Sequence, residues 1–217
     1  MALPLPQHGL YAITPERITD IEELLKRVEQ AIRGGAVMVQ YRAKSSAQES
    51  HARALLVICR KLNVPLIVND DAELASRIGA DGVHLGAADM SLTGARQLLG
   101  TQAIIGVSCY NDYTRAQMAV SRGANYVAFG SFFSSPTKPN AARAPLELLR
   151  RARAELGAPV VAIGGITPEN GGSLIAAGAD LLAAIDGLFG SSDVLSAARR
   201  YAALFTTQTA GGNSVTN

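Results

Sequence analysis

The sequence is poor in the residues that mark several large classes of protein. Its 217 residues contain two cysteines, no tryptophan and only 5% aromatic residues. Two cysteines cannot build the disulfide framework of a small secreted domain, and Cys59 and Cys109 do not have the spacing of a metal motif. No apolar run approaches the roughly 18 residues that a membrane span requires, and the N-terminus lacks a basic and apolar leader. We therefore expect a cytoplasmic protein with no membrane partner.

Charge of one sign is also missing, because 20 basic residues face 18 acidic ones and the net charge is +2. This balance argues against nucleic acid as a partner and leaves small molecules as the expected substrates. The chain is 48% hydrophobic, and its length suits one domain with a full core. The oligomeric state stays open, including a homo-oligomer.

A short phrase recurs along the chain: a helical stretch ends in Gly-Ala, one further residue follows, and a short apolar strand begins. The copies are Gly35-Ala36-Val37, Gly79-Ala80-Asp81, Gly123-Ala124-Asn125 and Gly178-Ala179-Asp180. Glycine just past a helix can adopt the left-handed conformation that closes it. The first three copies are evenly spaced, at a distance that accommodates two strand–helix units. The phrase is therefore expected to mark every second strand.

Short apolar runs supply the remaining strands, and amphipathic stretches with helical periodicity separate them. The predicted strands cover 10–13, 38–40, 65–68, 83–85, 103–107, 126–129, 159–163 and 181–183. Eight strands alternating with eight helices predict an α/β protein, a single parallel eight-stranded (β/α)₈ TIM barrel, with an open doubly wound sheet as the alternative. We expect the barrel to occupy residues 1–205 and residues 206–217 to form a disordered tail. The long segment 130–145 after the sixth strand is typical of a substrate loop.

Polar residues follow the second predicted strand. Gln40, Arg42 and Lys44 alternate in the extended chain and therefore point to one side. Two cations and an amide at one edge of a barrel mouth favour anion binding. The alternative is a solvated rim, but Gln40 directly follows a buried-strand pattern.

Acidic residues follow the third and fourth strands. Asn69, Asp70 and Asp71 come after one strand, and Asp89 comes after the next. One aspartate can cap the following helix, which leaves its neighbour free. Asp89 alone is more typical of a helix start. Two carboxylates on neighbouring strand ends can bind Mg²⁺ together with phosphate oxygens of a substrate.

The strongest local pattern is a buried strand that runs into Gly164-Gly165, followed by Thr167 and Pro168. Glycines allow a ligand to approach the backbone, and barrels frequently bind phosphate after strands seven and eight. The backbone at Ile185 and Asp186, after the eighth strand, could complete the same site. A tight turn without a ligand is the alternative.

The remaining candidates are weaker one by one. Ser108 ends the fifth strand, and the long loop carries Ser135, Thr137 and Lys138, a set that suits phosphate contacts. His84 lies inside a strand and is expected to be a hydrogen-bonded core residue. Cys109 has no neighbour that would favour a thiolate and is expected to be inert.

Taken in order, these segments resemble those of thiamine-phosphate synthases. They are LYAIT (10–14), VQYRAK (39–44), VND (68–70), DGVHLG (81–86) with Asp89, GVS (106–108), PTK (136–138) and AIGGIT (162–167). The resemblance implies an enzyme that joins 4-amino-2-methyl-5-hydroxymethylpyrimidine diphosphate to a thiazole phosphate, and releases thiamine phosphate and pyrophosphate. It also implies dissociative loss of pyrophosphate, attack by the thiazole nitrogen and no protein nucleophile.

The resemblance further implies roles for single residues. The diphosphate contacts would be Gln40, Arg42, Lys44, Asn69 and Lys138, and the catalytic cations among them Arg42, Lys44 and Lys138. The Mg²⁺ ligands would be Asp70 and Asp89. The pyrimidine and thiazole contacts would be Ser108, Ser135, Thr137, Gly165, Ile185 and Asp186.

Two positions depart from the family pattern. Ser135 stands where many relatives have threonine, and Asp186 stands where some have serine. Because a carboxylate repels phosphate, we expect Asp186 to offer its backbone N–H and to turn its side chain away. Two other functions remain open, a thiazole tautomerase of the same fold and a non-catalytic phosphate sensor. The full set of cations and carboxylates favours the synthase.

Overall fold

The computed structural model describes residues 3–16, 20–43, 49–134 and 143–209. Eight parallel strands close into a barrel in which each pairs with its neighbours in chain order and β8 pairs with β1. The strands are β1 (Gly9–Ile13), β2 (Ala36–Tyr41), β3 (Leu66–Asn69), β4 (Gly82–Leu85), β5 (Ile104–Tyr110), β6 (Tyr126–Phe129), β7 (Val160–Ile163) and β8 (Leu181–Ala184). The predicted TIM barrel is confirmed, and the open sheet is excluded.

Helices alternate with the strands. Their bounds are α1 (Ile21–Arg33), α2 (Glu49–Lys61), α3 (Ala72–Ile78), α4 (Leu92–Leu99), α5 (Tyr113–Ser121), α6 (Leu146–Glu155), α7 (Gly171–Ala176), α8 (Asp186–Phe189) and α9 (Val194–Thr209). The short α8 was not predicted, and α9 continues to Thr209 instead of ending at Phe205. No helix in the described ranges combines the length and apolarity that a membrane crossing needs.

Alternation along the strands divides the core into two layers. On β1, Leu10 and Ala12 pack outward against the helices, whereas Tyr11 and Ile13 point into the barrel. The inner layer continues with residues such as Met38 of β2. Both faces of the strands are therefore buried, which explains their nearly continuous apolar sequences.

The glycines of the recurring phrase adopt the predicted left-handed backbone. The φ angles are 109° at Gly35, 70° at Gly79, 90° at Gly123 and 112° at Gly178. A side chain is strained at such angles, so glycine can end each helix and turn the chain into the next strand without that cost.

The third residue of the phrase has a separate structural role. Asp81 accepts a hydrogen bond from the N–H of Leu66 at 2.9 Å, at the start of β3. Asn125 accepts likewise from Ile105 of β5 at 2.8 Å, and Asp180 accepts from Val160 of β7 at 2.8 Å. Each side chain thus connects the entrance of an even-numbered strand to that of the preceding odd-numbered strand. The first copy has Val37 at this position, which has no polar side-chain atom.

Removing one of these links should reduce stability. Asp81 is 1% exposed and also accepts from the N–H of Leu3 at 2.9 Å. We expect Asp81→Ala to lower the free energy of unfolding by about 1–3 kcal/mol, because it leaves a buried N–H without a partner. Urea unfolding followed by circular dichroism measures the loss. Asp81→Asn keeps one acceptor oxygen and should cost less; equal losses would contradict this role for the side chain.

Candidate active site

A cavity of about 590 Å³ opens at the carboxyl ends of the strands. Functional sites of this fold lie at that face, because the strand ends and the βα loops meet there. Among the sequence-predicted residues, the cavity is lined by Gln40, Arg42, Asn69, Ser108, Gly165, Ile185 and Asp186. The structure therefore brings together residues from the carboxyl ends of β2, β3 and β5 and from the turns after β7 and β8.

Arg42 is held at the rim by contacts from the loop after β1. Its backbone N–H donates to Thr14 Oγ1 at 2.9 Å, and Nη2 lies 3.2 Å from the carboxylate of Glu16. The side chain is 12% exposed, and its buried Nη1 has no hydrogen-bond partner among the described residues. Such a donor is unusual and suits an anionic ligand. Thr14 and Glu16 were not predicted as site residues, although Thr14 belongs to the LYAIT segment.

Asp70 and Asp89 form a close pair of carboxylates. Burial first, and the neighbouring Asp89 second, raise the pKa of Asp70 to about 6, while the charge of Arg42 acts in the opposite direction. Asp70 has a positive φ of 65°, uncommon for a residue with a side chain. Its neighbour Asp71 caps α3 by accepting from the N–H of Leu74 at 2.7 Å. The expected helix cap is thus observed at Asp71.

Asp89 does not start a helix. Ser91 caps α4, and Asp89 Oδ2 instead accepts from the N–H of Gly86 at 2.5 Å. Over the described ranges, no group of three or more His, Cys, Asp or Glu side chains could hold a metal ion. Two carboxylates such as Asp70 and Asp89 are a number that suits Mg²⁺ when the remaining ligands are water and phosphate oxygens.

The glycine pair after β7 is explained first by packing. Gly164 and Gly165 have φ angles of 104° and 63°. A Cβ on Gly164 would collide with the side chain of Ser131, and one on Gly165 with the carbonyl of Ser134. The loop after β6 also donates to this turn, from Phe133 N to Gly164 O at 3.0 Å. The glycines therefore fit the loop closely, and both also line the cavity.

The end of β8 forms the adjacent wall. Ile185 and Asp186 line the cavity where the unpredicted helix α8 begins. A Cβ on Gly187 would collide with the backbone carbonyl of Ile166, so the turns after β7 and β8 are in direct contact. Short extra helices at this position bind phosphate in many barrels. The orientation expected for the Asp186 carboxylate stays a prediction.

The sequence did not predict the polar floor of the cavity. Tyr11 and His84 line it, and both are hydrogen-bonded to the buried Tyr126. His84 is 8% exposed with both ring nitrogens hydrogen-bonded, which confirms the expected core histidine, and burial lowers its pKa to about 4. Tyr11 stands in the apolar segment LYAIT, so nothing in the sequence indicated that it lines the cavity. The cavity also includes Tyr110, Asn111, Ser131, Ser134 and Thr167.

The thiols of Cys59 and Cys109 are fully buried and do not line the cavity. Burial raises the pKa of Cys109 to about 12, and the pKa of Cys59 likewise. Both are protonated at neutral pH, as expected of inert thiols. Four predicted residues, Lys44, Ser135, Thr137 and Lys138, lie outside the described residues.

The family model and the most similar sequences point to one family. The family model described as thiamine monophosphate synthase matches residues 10–188. A thiamine-phosphate synthase from Methylococcus capsulatus is 53% identical over 208 residues, which are 94% of this chain and 92% of that protein. One from Thioalkalivibrio sulfidiphilus is 51% identical over 200 residues, or 91% and 95% of the two chains.

A solved structure supports the same assignment. The thiamine phosphate pyrophosphorylase from Pyrococcus furiosus superposes with a TM-score of 0.83 at 30% identity, covering 93% of this chain and 96% of that one. The residues matched by the family model, 10–188, include every residue that lines the cavity. This chain belongs to the thiamine monophosphate synthase family.

Proposed function

We propose that the protein is a transferase that joins 4-amino-2-methyl-5-hydroxymethylpyrimidine diphosphate to a thiazole phosphate. The products are thiamine phosphate and pyrophosphate. The thiazole nitrogen forms a bond to the exocyclic methylene carbon of the pyrimidine, and the bond from that carbon to the diphosphate oxygen breaks. The membership of the family and the composition of one shared cavity support this function.

The observation that carries the proposal is that one cavity has two sectors whose lining suits anions. Arg42 and Asn69 line the sector at β2 and β3, and the turns after β7 and β8 line the other. Apolar side chains such as Ile163 and Ala183 also line the cavity. A diphosphate and a monophosphate can therefore bind apart, with two rings facing each other over an apolar surface.

We propose Mg²⁺ as the cofactor and Asp70 and Asp89 as its protein ligands. Two adjacent carboxylates repel each other, which is one reason why the pKa of Asp70 is raised to about 6. A divalent cation would remove that repulsion. When bound, Mg²⁺ supplies positive charge that stabilises the departing diphosphate. The carboxylate pair, next to Arg42, fits this use.

The side chains of the chain itself would act by position and charge. Negative charge grows on the leaving group as pyrophosphate departs. The guanidinium of Arg42 would stabilise that negative charge. Lys44 and Lys138 are proposed for the same task. We propose Gln40, Asn69 and Ser108 as further contacts of the pyrimidine diphosphate. The aminopyrimidine can delocalise the cation left behind, so a dissociative path needs no protein nucleophile.

The second sector would hold the thiazole phosphate. Gly165 and the backbone at Ile185 and Asp186 are proposed as its phosphate contacts, and Ser135 and Thr137 as contacts of the thiazole side. Direct contact between the turns after β7 and β8 supports a single phosphate site there. A tautomerase or a phosphate sensor would need this sector but not the carboxylate pair beside Arg42.

A two-substrate assay tests the proposal. Purified protein is incubated with both substrates, and thiamine phosphate and pyrophosphate are quantified with Mg²⁺ and with excess chelator. We expect equal amounts of both products, formed only with Mg²⁺ present. Calorimetric titration supplies the control, since a sensor would bind thiazole phosphate without responding to Mg²⁺ or pyrimidine diphosphate. Isomerisation of a thiazole alone, with no condensation, would favour the tautomerase.

A further inference from the structure

Five polar side chains form a continuous hydrogen-bonded series across the inside of the barrel, which we call the interior network. Gln40 Nε2 donates to Tyr11 OH at 2.6 Å, and Tyr11 OH lies 2.9 Å from Tyr126 OH. Tyr126 OH lies 2.9 Å from His84 Nδ1, and His84 Nε2 lies 2.8 Å from Ser108 Oγ. The two ends, Gln40 and Ser108, both line the cavity.

Packing holds the network in place. The rings of His84 and Tyr126 stack with centroids 5.6 Å apart, and Tyr11 meets Tyr126 edge-on at 6.0 Å. His84 on β4 and Tyr126 on β6 are both paired in register with Gly106 on β5. A Cβ on Gly106 would collide with the Tyr126 ring. Glycine at the intervening strand position therefore lets the two rings meet.

Once the donor at one end is known, the donor and acceptor in every hydrogen bond of the interior network follow. Gln40 donates a hydrogen bond through Nε2 to Tyr11 OH. The Tyr11 hydroxyl therefore donates its own hydrogen bond to Tyr126 OH. Tyr126 then donates to His84 Nδ1. A neutral imidazole has one N–H, so it must sit on Nε2 and be donated to Ser108. The opposite direction would require the Gln40 amide to be reversed and the His84 proton to sit on Nδ1.

We propose that Tyr11, Tyr126 and His84 are positioning residues that fix which hydrogen-bonding atom each end of the network presents to the ligand. At one end, Ser108 Oγ is occupied as an acceptor, so its hydroxyl proton points to the cavity. At the other end, one N–H of the Gln40 amide donates to Tyr11, which fixes the orientation of the amide. Its carbonyl oxygen can then accept from the amino group of the pyrimidine, and its second N–H can donate to the diphosphate. The cavity floor therefore offers a hydroxyl and an amide in one defined orientation.

The tautomer of His84 reports the direction of the whole network. We would label the three histidines with ¹⁵N and record imidazole spectra at about pH 8, where even an ordinary imidazole is neutral. His84→Gln identifies the His84 signals. We expect a proton on Nε2 and none on Nδ1. A proton on Nδ1 would reverse the direction and overturn the proposal.

Tyr126→Phe removes the middle of the network. His84 Nδ1 then has no donor, so we expect its signals to change to those of a tautomer mixture. The kinetic expectation rests on the proposed function: kcat/KM for the pyrimidine diphosphate falls about tenfold, the effect of one lost hydrogen bond. The KM for the thiazole phosphate, whose proposed site lies at β7 and β8, stays unchanged. Unaltered His84 signals in this variant would contradict the proposal even if the wild type proved inactive.

Two further variants complete the experiment. Tyr41→Phe removes a buried tyrosine hydroxyl from the outer layer of β2 and should leave the His84 tautomer and kcat/KM as in the wild type. Tyr11→Phe serves if Tyr126→Phe does not fold. It releases the Gln40 amide, so kcat/KM should again fall about tenfold, while the His84 tautomer is retained. Full activity in Tyr11→Phe would show that no such positioning is needed.

Discussion

Asp70→Asn should lower kcat by about 10²- to 10³-fold at saturating Mg²⁺, the loss expected when charge stabilisation of a leaving group is removed. Asparagine keeps the size of the side chain but removes the negative charge that Asp70 contributes to the pair with Asp89. The protein should stay folded and should need far more Mg²⁺ for half-maximal activity. Initial rates over a range of Mg²⁺ concentrations, with circular dichroism of each variant, measure both effects.

The neighbouring aspartate provides a matched control. Asp71→Asn makes the same chemical change one residue away, where asparagine caps α3 as well as aspartate does. Its rate and Mg²⁺ dependence should equal those of the wild type. If Asp70→Asn kept the wild-type Mg²⁺ dependence, or if the wild type worked in excess chelator, the role proposed for the carboxylate pair would be wrong.

Arg42→Ala should lower kcat by about 10²-fold or more, with a higher KM for the pyrimidine diphosphate. Arg42 is a mostly buried cation whose charge lowers the pKa of Asp70. Its loss therefore removes positive charge that would stabilise both the leaving group and the ionised carboxylate pair. Steady-state rates with each substrate varied in turn give the two constants. The KM for the thiazole phosphate should change little.

Glu16→Gln separates the guanidinium from its ion pair. The variant removes the negative charge opposite Arg42 Nη2 but keeps an oxygen that can accept its hydrogen bond, and it leaves the cation at the rim. We expect a much smaller decrease in kcat than in Arg42→Ala. Losses of the same size in both variants would mean that Arg42 acts through the shape of the loop after β1 rather than through its charge.

The sequence was sufficient to predict the barrel because two local signals agree. Apolar runs of strand length alternate with helical periodicity, and glycine closes helices at Gly35, Gly79 and Gly123 as the recurring phrase predicts. The extra helix α8 escaped prediction because it is a single turn of four residues, DGLF, that follows a buried strand without a capping side chain. The end of α9 was placed too early because Thr206 and Thr207 favour helix only weakly.

The candidate site was predictable where a polar residue interrupts an apolar strand end, as at Gln40, Arg42 and Asp70. It was not predictable where a residue looks like core. Tyr11 and Tyr126 sit in apolar strands, and only the register of β4, β5 and β6 brings Tyr126 beside His84. The glycine turn was predicted for a ligand, yet Gly164 and Gly165 are first required by the loop after β6. These roles depend on contacts between residues that lie far apart in the sequence, and the periodicity of a sequence does not show such contacts.

The side chains that link strand entrances divide the barrel into paired units. Asp81, Asn125 and Asp180 join β3 to β4, β5 to β6 and β7 to β8. All three links lie inside a pair, and none of them bridges two pairs. A circular permutant opened between β4 and β5 would therefore keep every link within a continuous piece of chain, whereas one opened between β3 and β4 would place Leu66 and Asp81 at opposite ends. The barrel is thus better suited to new termini between the pairs than within them.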